Sequence, residues 1–185
     1  MENTIFAILL SGIVLNNCAL QSYLGITTLL GHADNTKKSA IMGAAVTVVM
    51  VLTAIVAWPV QTLVLAPYGL AYLQTLVFVA IILAVSYLTG AIAKACVKQS
   101  LGLWFPLIAL NSAVLGVTVN NAAAGYGFLE TVISALACGL GFLLAMVVFS
   151  GVCTRIENQY VPRAFRGLPV QLMAAAIVAL ALYAF

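Results

Sequence analysis

Long apolar runs, separated by glycine, proline, asparagine or charged residues, make up nearly all of the 185-residue chain. A helix needs about 20 apolar residues to cross the hydrocarbon core of a bilayer. Runs of that kind predict six membrane-spanning helices, over residues 4–26, 39–58, 70–93, 101–119, 129–151 and 168–185. The pattern therefore predicts an all-α integral membrane protein that forms a single domain.

The composition supports this interpretation. Hydrophobic residues make up 65% of the chain and charged residues only 6%, whereas a soluble domain carries about a quarter charged residues. The first apolar run has no Lys or Arg before it, so it lacks the basic segment of a cleavable signal peptide. We expect this run to stay in the mature protein as the first span.

The basic residues predict how the chain is oriented. All of them fall in the loops after the first, third and fifth predicted spans. They are Lys37, Lys38, Lys94, Lys98, Arg155, Arg163 and Arg166. Because cytoplasmic loops carry an excess of Lys and Arg, these loops are expected in the cytoplasm and both termini outside.

The chain also shows an internal repeat. Thr27 is followed by Gly31 four residues later, and Ser112 is followed by Gly116 at the same spacing, 85 residues further on. The same shift moves the second predicted span to residues 124–143, which overlap the fifth, whereas the third and sixth spans match less well. Three spans per half give the halves opposite orientations in the membrane. We therefore predict two inverted three-helix repeats, over about residues 1–95 and 96–185.

Polar residues interrupt the first span of each repeat. Because such residues are costly toward lipid, they should face protein or a water-filled cavity, and interrupted helices at matching positions of inverted halves indicate a site near the membrane midplane. The alternative is that these residues only hydrogen-bond neighbouring helices. The predicted midplane polar residues are Asn16, Asn17, Gln21, Thr28, Gly31, Asn111 and Gly116.

Ionisable side chains avoid the predicted spans. Asp34, Glu157 and His32 fall in loops, and Glu130 lies near an outer helix end. Since membrane proton relays use Asp, Glu or His, we expect no complete proton path within this chain alone. Carbonyl and hydroxyl oxygens would suit Na⁺ or a bound cofactor. No nucleophile and base pair and no phosphate-binding loop is recognisable, so catalysis by this chain alone is not expected.

Three segments carry a family resemblance. "LNNCALQSYLG", "LGLWFPLIALNSAVLG" and "RIENQYVPRAFRG" resemble, in order and spacing, motifs of the six-span membrane subunits of the Rnf complex and of the Na⁺-translocating NADH:quinone reductase. The predicted outside termini fit the branch formed by the A-type Rnf and E-type reductase subunits. The resemblance implies a bacterial or archaeal cytoplasmic membrane, a sister six-span subunit, flavin and iron–sulfur partner subunits, and a [2Fe-2S] cluster shared between the sisters.

The sequence departs from the family at the cluster. Thr27 and Ser112 stand where the family has its two ligand cysteines, and Thr89 stands where it has a glutamate in the third span. Cysteine thiolates hold iron–sulfur clusters, and hydroxyls replace them poorly. Cys18 lies nine residues before Thr27, about 13 Å along a helix; it and Cys138 remain as weaker candidates for metal binding.

Three explanations of this departure stay open. The chain is a divergent paralogue that has lost the cluster, or its complex moves electrons by another arrangement that recruits Cys18 or Cys138, or the two positions have been altered.

The leading functional hypothesis is a membrane subunit of an Rnf-type complex. Such a complex couples electron transfer between ferredoxin and NAD⁺ to translocation of Na⁺ or H⁺, and Thr27, Ser112, Asn17 and Asn111 would line its midplane site. One alternative is a small stand-alone transporter or channel built on the same inverted repeat. Another is a structural membrane subunit with no site of its own.

Overall fold

The computed structural model describes residues 24–31, 36–96, 108, 111–157, 162 and 165–183. Every regular element in these ranges is helical, which confirms the all-α prediction there. The α-helices are α1 (Ile26–Gly31), α2 (Thr36–Val60), α3 (Gln74–Cys96), α4 (Ser112–Ala123), α5 (Phe128–Glu157) and α6 (Leu168–Tyr183). A π-helical turn, Gln61–Leu65, continues α2, and a 3-10 turn, Ala71–Leu73, precedes α3.

Three of the described helices are long and apolar enough to cross a membrane: Thr36–Leu65, Gln74–Ile92 and Phe128–Ile156. They correspond to the second, third and fifth predicted spans. The described part of α6 is apolar but shorter. Most of the first predicted span, including Asn16, Asn17, Cys18 and Gln21, lies outside the described residues.

Several predicted spans were shorter than the helices in the structure. The second span was expected to stop at Trp58, before Pro59, but the helix continues through the proline into the π-helical turn. The hydrocarbon region has no water to pair with backbone N–H and C=O groups, so a helix that continues past the proline keeps these groups hydrogen-bonded. Lys37, Lys38 and Glu157, which were expected in loops, lie within the terminal turns of α2 and α5.

Helices α2 and α5 form an antiparallel pair along most of their length. The Ser150 and Thr36 hydroxyls lie 3.5 Å apart at one end, and the Thr47 hydroxyl lies 2.8 Å from the Gly139 carbonyl oxygen at the centre. At the other end the Trp58 ring meets the Phe128 ring edge to face, with 5.4 Å between centroids. Residues later in α2 contact residues earlier in α5, so the two helices run in opposite directions.

Small residues let this pair approach closely. A Cβ atom built on Gly139 would lie 2.6 Å from Thr47 Cγ2, and one on Gly43 would lie 3.1 Å from the Leu143 Cα. The Thr47 hydroxyl is also 2.8 Å from the Gly43 carbonyl oxygen, so its one proton has two acceptors. Because lipid provides no hydrophobic force between helices, such close packing and hydrogen bonding hold membrane helices together.

The other helices are arranged around this pair. Helix α3 returns antiparallel to α2 after the turn at residues 66–70, and α2, α3 and α4 pack against one another. Helix α5 begins beside the end of α2, where the Trp58 and Phe128 rings meet. The largest fully buried side chains are Phe78, Phe142, Phe149, Met42, Met50 and Met146.

We predict that Gly139→Ala loosens the α2 and α5 pair. The new methyl group would meet the side chain and the Cα of Thr47, and overpacking of this kind costs about 1–3 kcal/mol. The apparent midpoint of thermal unfolding of the full chain in detergent should fall. Gly151→Ala on the same helix is the matched control, because a Cβ there meets nothing within 4 Å. Equal midpoints for the two variants would contradict the packing argument.

Candidate functional site

Two helix starts, one from each predicted repeat, meet inside the bundle. Helix α1 begins after the turn at Leu24 and Gly25, and α4 begins after Asn111. The Gly25 backbone N–H donates a hydrogen bond to Ser112 Oγ at 2.9 Å. The repeated polar segments of the sequence are therefore joined directly in the fold.

Asn111 caps the start of helix α4. Its backbone is extended, with φ −72° and ψ 114°, so no continuous helix runs through this position. Its side-chain oxygen accepts a hydrogen bond from the Ala113 N–H at 2.9 Å, as Asn commonly does at a helix start. Asn111 is 1% exposed, and its Nδ2 atom has no hydrogen-bond partner within the described part of the chain.

Gly25 fits a space that no larger residue can occupy. Its φ of +78° lies in the left-handed region, and a Cβ there would stand 2.6 Å from the Phe142 ring and 2.8 Å from Asn111 Oδ1. Gly116 likewise admits the side chain of Leu24.

The depth of this junction follows from its contact with α5. Phe142 is the fifteenth of the 30 residues of α5. The two helix starts therefore meet at half the length of the longest described helix.

The structure brings only some of the predicted site residues into this contact. Ser112 joins it through its hydroxyl, Asn111 packs against Gly25, and Gly116 packs against Leu24. A Cβ on Gly31 would meet nothing within 4 Å, so that glycine does not take part in the close approach. Asn111 and Thr28 are buried, Gly116 is half-buried, and Thr27, Gly31 and Ser112 are exposed.

The described residues do not fit a [2Fe-2S] cluster. Such a cluster needs thiolates, whereas Thr27 and Ser112, which the sequence predicts at the family's two ligand positions, carry hydroxyls. The Ser112 hydroxyl already accepts the Gly25 amide. Cys138 and Cys153 are 15 residues apart on α5, about 22 Å along the helix. Among the residues described, no three His, Cys, Asp or Glu side chains come together as a metal site.

A cavity that the sequence did not predict lies at the end of the bundle formed by the C-terminal ends of α2 and α4 and the start of α5. Its volume is about 220 Å³. The sequence analysis noted only that the loops after the second and fourth predicted spans have no basic residues, and it missed the polar side chains beside them. The polar side chains that line the cavity are those of Trp58, Gln61, Thr62, Thr118, Asn121, Tyr126 and Thr131.

Hydrogen bonds fix the wall of this cavity. The Trp58 indole N–H donates to the Tyr126 carbonyl oxygen at 3.0 Å. The Asn121 side chain accepts from Ser134 Oγ at 2.8 Å and donates to the Thr131 carbonyl oxygen at 3.3 Å. Because these bonds join the loop after α4 to α2, and α4 itself to α5, several elements hold the polar lining in place.

We predict that Gly25→Ala destabilises the chain more than Gly69→Ala does. Both glycines have positive φ, +78° and +65°, so both variants carry backbone strain of about 1–3 kcal/mol. Only the Gly25 methyl group would also collide with Phe142 and Asn111, whereas Gly69 has nothing within 4 Å of a Cβ. The apparent unfolding midpoint in detergent should fall further for Gly25→Ala. Similar losses would mean that the junction tolerates separation of the two helix starts.

Comparison with known proteins identifies a family of membrane protein subunits. The family model described as "Rnf-Nqr subunit, membrane protein" matches residues 5–185. The A-type subunit of the Na(+)-translocating ferredoxin:NAD(+) oxidoreductase complex of Acetobacterium woodii is 40% identical, over 98% of this chain and 96% of its own length.

Two further relatives are A-type subunits of an ion-translocating oxidoreductase complex. The one from Syntrophotalea carbinolica is 39% identical over 100% of this chain and 97% of its own length, and the one from Serratia proteamaculans is 36% identical over 98% and 96%. The resemblance drawn from three sequence segments is thereby confirmed. The chain belongs to the Rnf-Nqr family of membrane protein subunits.

Proposed function

We propose that this chain is the A-type membrane subunit of an Rnf-type complex, in which electron transfer between ferredoxin and NAD⁺ drives the translocation of Na⁺ or H⁺. The observation that carries the proposal is the similarity to A-type subunits over nearly the full length of both chains, at 36–40% identity. The protein is a subunit of a larger translocase and does not catalyse the reaction alone.

The junction of α1 and α4 is the proposed working site of the subunit. Thr28, Asn111 and Ser112, with Thr27 at its edge, supply the polar groups there, and Asn16, Asn17 and Gln21 are proposed to complete it. The hydrogen bond from Gly25 to Ser112 links the two helix starts. Since a bond of this kind contributes about 1 kcal/mol, breaking it lets one half shift against the other at low cost, as alternating access requires.

The distribution of charge supports the proposed topology. Lys37 and Lys38 at the start of α2 lie at the same end of the bundle as Arg155 at the end of α5. Glu130 lies at the opposite end, where its carboxylate accepts the Gly127 N–H at 3.0 Å. By the positive-inside rule, the basic end is cytoplasmic and both termini are outside, in a bacterial or archaeal cytoplasmic membrane.

An inverted repeat is the proposed origin of the junction. The matching helix starts, Ile26 and Ser112, are 86 residues apart, close to the spacing of 85 between the repeated Thr27 and Ser112. Two halves of about 1–95 and 96–185, with spans 1 and 4 interrupted, would bring such starts together from opposite directions.

The redox centres are assigned to the partner subunits. The described residues offer no pair of thiolates for a cluster, so we place the contribution of this chain in ion movement and in assembly. The proposed partners are a sister six-span subunit and other subunits that carry flavin and iron–sulfur centres. Side chains exposed on α3, such as Tyr87, Leu88 and Ile92, offer apolar surface to lipid or to the sister subunit.

Purification of the tagged chain from its native membrane in mild detergent tests the assignment. We expect a second six-span subunit and flavin-bearing subunits to co-purify, together with ferredoxin-dependent reduction of NAD⁺. The iron content of the preparation should match that of the iron–sulfur partner subunits alone. The additional iron of a cluster shared between the sister subunits should be missing, because Thr27 and Ser112 supply no thiolates.

Two other outcomes would change the proposal. A chain that purifies alone or only with itself would favour the stand-alone transporter or channel. Iron at the full stoichiometry, with a [2Fe-2S] signal that disappears in Cys18→Ala or Cys138→Ala, would instead support recruitment of a different cysteine.

A further inference from the structure

We propose that one exposed side of the α2 and α5 pair, here called the lipid groove, holds a single anionic phospholipid. Its acyl chains lie against the apolar part of the groove, and its phosphate lies beside Arg155 at the basic end of the bundle. The inference requires only that α2 and α5 span the membrane, so it goes beyond the proposed redox role. The groove is formed by Lys37, Val48, Leu140, Leu144, Gly151 and Arg155.

The middle of the lipid groove is apolar. The Thr47 hydroxyl contacts the Gly139 carbonyl oxygen across the helix pair. Each residue turns about 100° around a right-handed helix, so in an antiparallel pair the residue after a contact turns toward the same side of both helices. Val48 and Leu140 therefore share one side, where they are 54% and 41% exposed. Leu144, one turn later on α5, continues this exposed stripe.

The same side becomes open and positively charged at the basic end. The Thr36 and Ser150 hydroxyls meet there, and the residues that follow them are Lys37 and Gly151. The Lys37 side chain is exposed, and a Cβ on Gly151 would meet nothing within 4 Å. Arg155 is also exposed and lies one turn after Gly151 on the same face of α5. Open space beside the α5 backbone therefore separates the apolar stripe from the basic side chains.

The length of the groove matches one leaflet of a bilayer. Gly151 is 11 residues after Leu140, about 16 Å along the helix, and half of the hydrocarbon core is about 15 Å thick. Leu140 lies two residues before Phe142, at the middle of α5. An acyl chain that follows the stripe from the middle of the bundle thus reaches its glycerol end near Gly151. Arg155 stands about 6 Å further along, at the level of the phosphate.

The charge of the groove selects the lipid. The Arg155 guanidinium can hold two phosphate oxygens through parallel N–H bonds, and Lys37 adds a second positive charge. Basic residues at headgroup level attract anionic lipids, whereas a choline headgroup brings a positive charge of its own. A neighbouring membrane helix would cover the apolar stripe, but it would also need a carboxylate at headgroup level to pair with Arg155. An anionic phospholipid supplies both parts.

Lipid binding to the full chain tests the groove. The chain is purified from its native membrane, stripped of lipid in detergent, and titrated with phosphatidylglycerol or with phosphatidylcholine that has the same acyl chains. Native mass spectrometry counts the bound lipids. We expect the first phosphatidylglycerol to bind at least about fivefold more tightly than phosphatidylcholine, which is the preference that one basic residue gives at a membrane surface.

Substitutions locate the binding to the groove. Arg155→Gln should remove most of the preference for phosphatidylglycerol, and Arg155→Lys should retain it in part because the charge stays. Lys38→Gln is the matched control, since it removes the same charge at the same end. Lys38 lies about 200° around α2 from the α5 contact at Thr36, so it turns away from the groove. Gly151→Leu should weaken the binding of both lipids by filling the open space beside α5.

Three results would overturn the lipid groove. The first is equal affinity for the two lipids. The second is an equal loss in Arg155→Gln and Lys38→Gln, which would mean a diffuse attraction to the whole basic end. The third comes from replacing Leu144 by photoreactive benzoylphenylalanine in the native membrane. We expect adducts with phospholipid there, and adducts with another protein chain would mean that this side is a subunit interface.

These outcomes are separate from the proposed function. A complex that co-purifies fully and reduces NAD⁺ leaves the groove open to refutation by any of the three results. A chain that purifies alone but shows the Arg155-dependent preference would support the groove, and the Rnf assignment would then fail by itself.

Discussion

The close approach of α2 and α5 is the constraint on which the rest of the described structure depends. In lipid, apolar side chains gain little by leaving the solvent, so helix association needs contact between backbones. Gly43 and Gly139 provide that contact, and the Thr47 hydroxyl adds a polar link across it. The pair then forms a rigid antiparallel axis against which the shorter helices pack.

This axis sets the depth of the candidate site. Phe142, one turn beyond Gly139 at the centre of α5, presents its ring to Gly25, and Gly25 in turn holds Ser112 by its amide. The two helix starts therefore meet where the paired helices are halfway through their length.

The sequence predicted where several helices lie along the chain, but it did not predict which side chains come together in the fold. The long apolar runs predicted α2, α3 and α5 because a membrane span has a fixed minimum length. The repeat of Thr27 and Gly31 at Ser112 and Gly116 indicated two matching polar segments, and the structure brings their starts together. It did not indicate that the helix would pass Pro59, since the need to keep backbone groups bonded in an apolar setting overrode the local signal.

Membrane class, six apolar runs, charge asymmetry and family membership follow from the sequence alone, because each depends on composition or on order along the chain. The resemblance also predicts, from the sequence alone, that Thr27 and Ser112 stand at the positions of the two family cysteines. Only the tertiary structure decided that Ser112 accepts the Gly25 amide, that Gly31 stands apart, and that α2, α3 and α4 pack against one another. These relations arise from packing between segments far apart in the chain, and no local pattern encodes them.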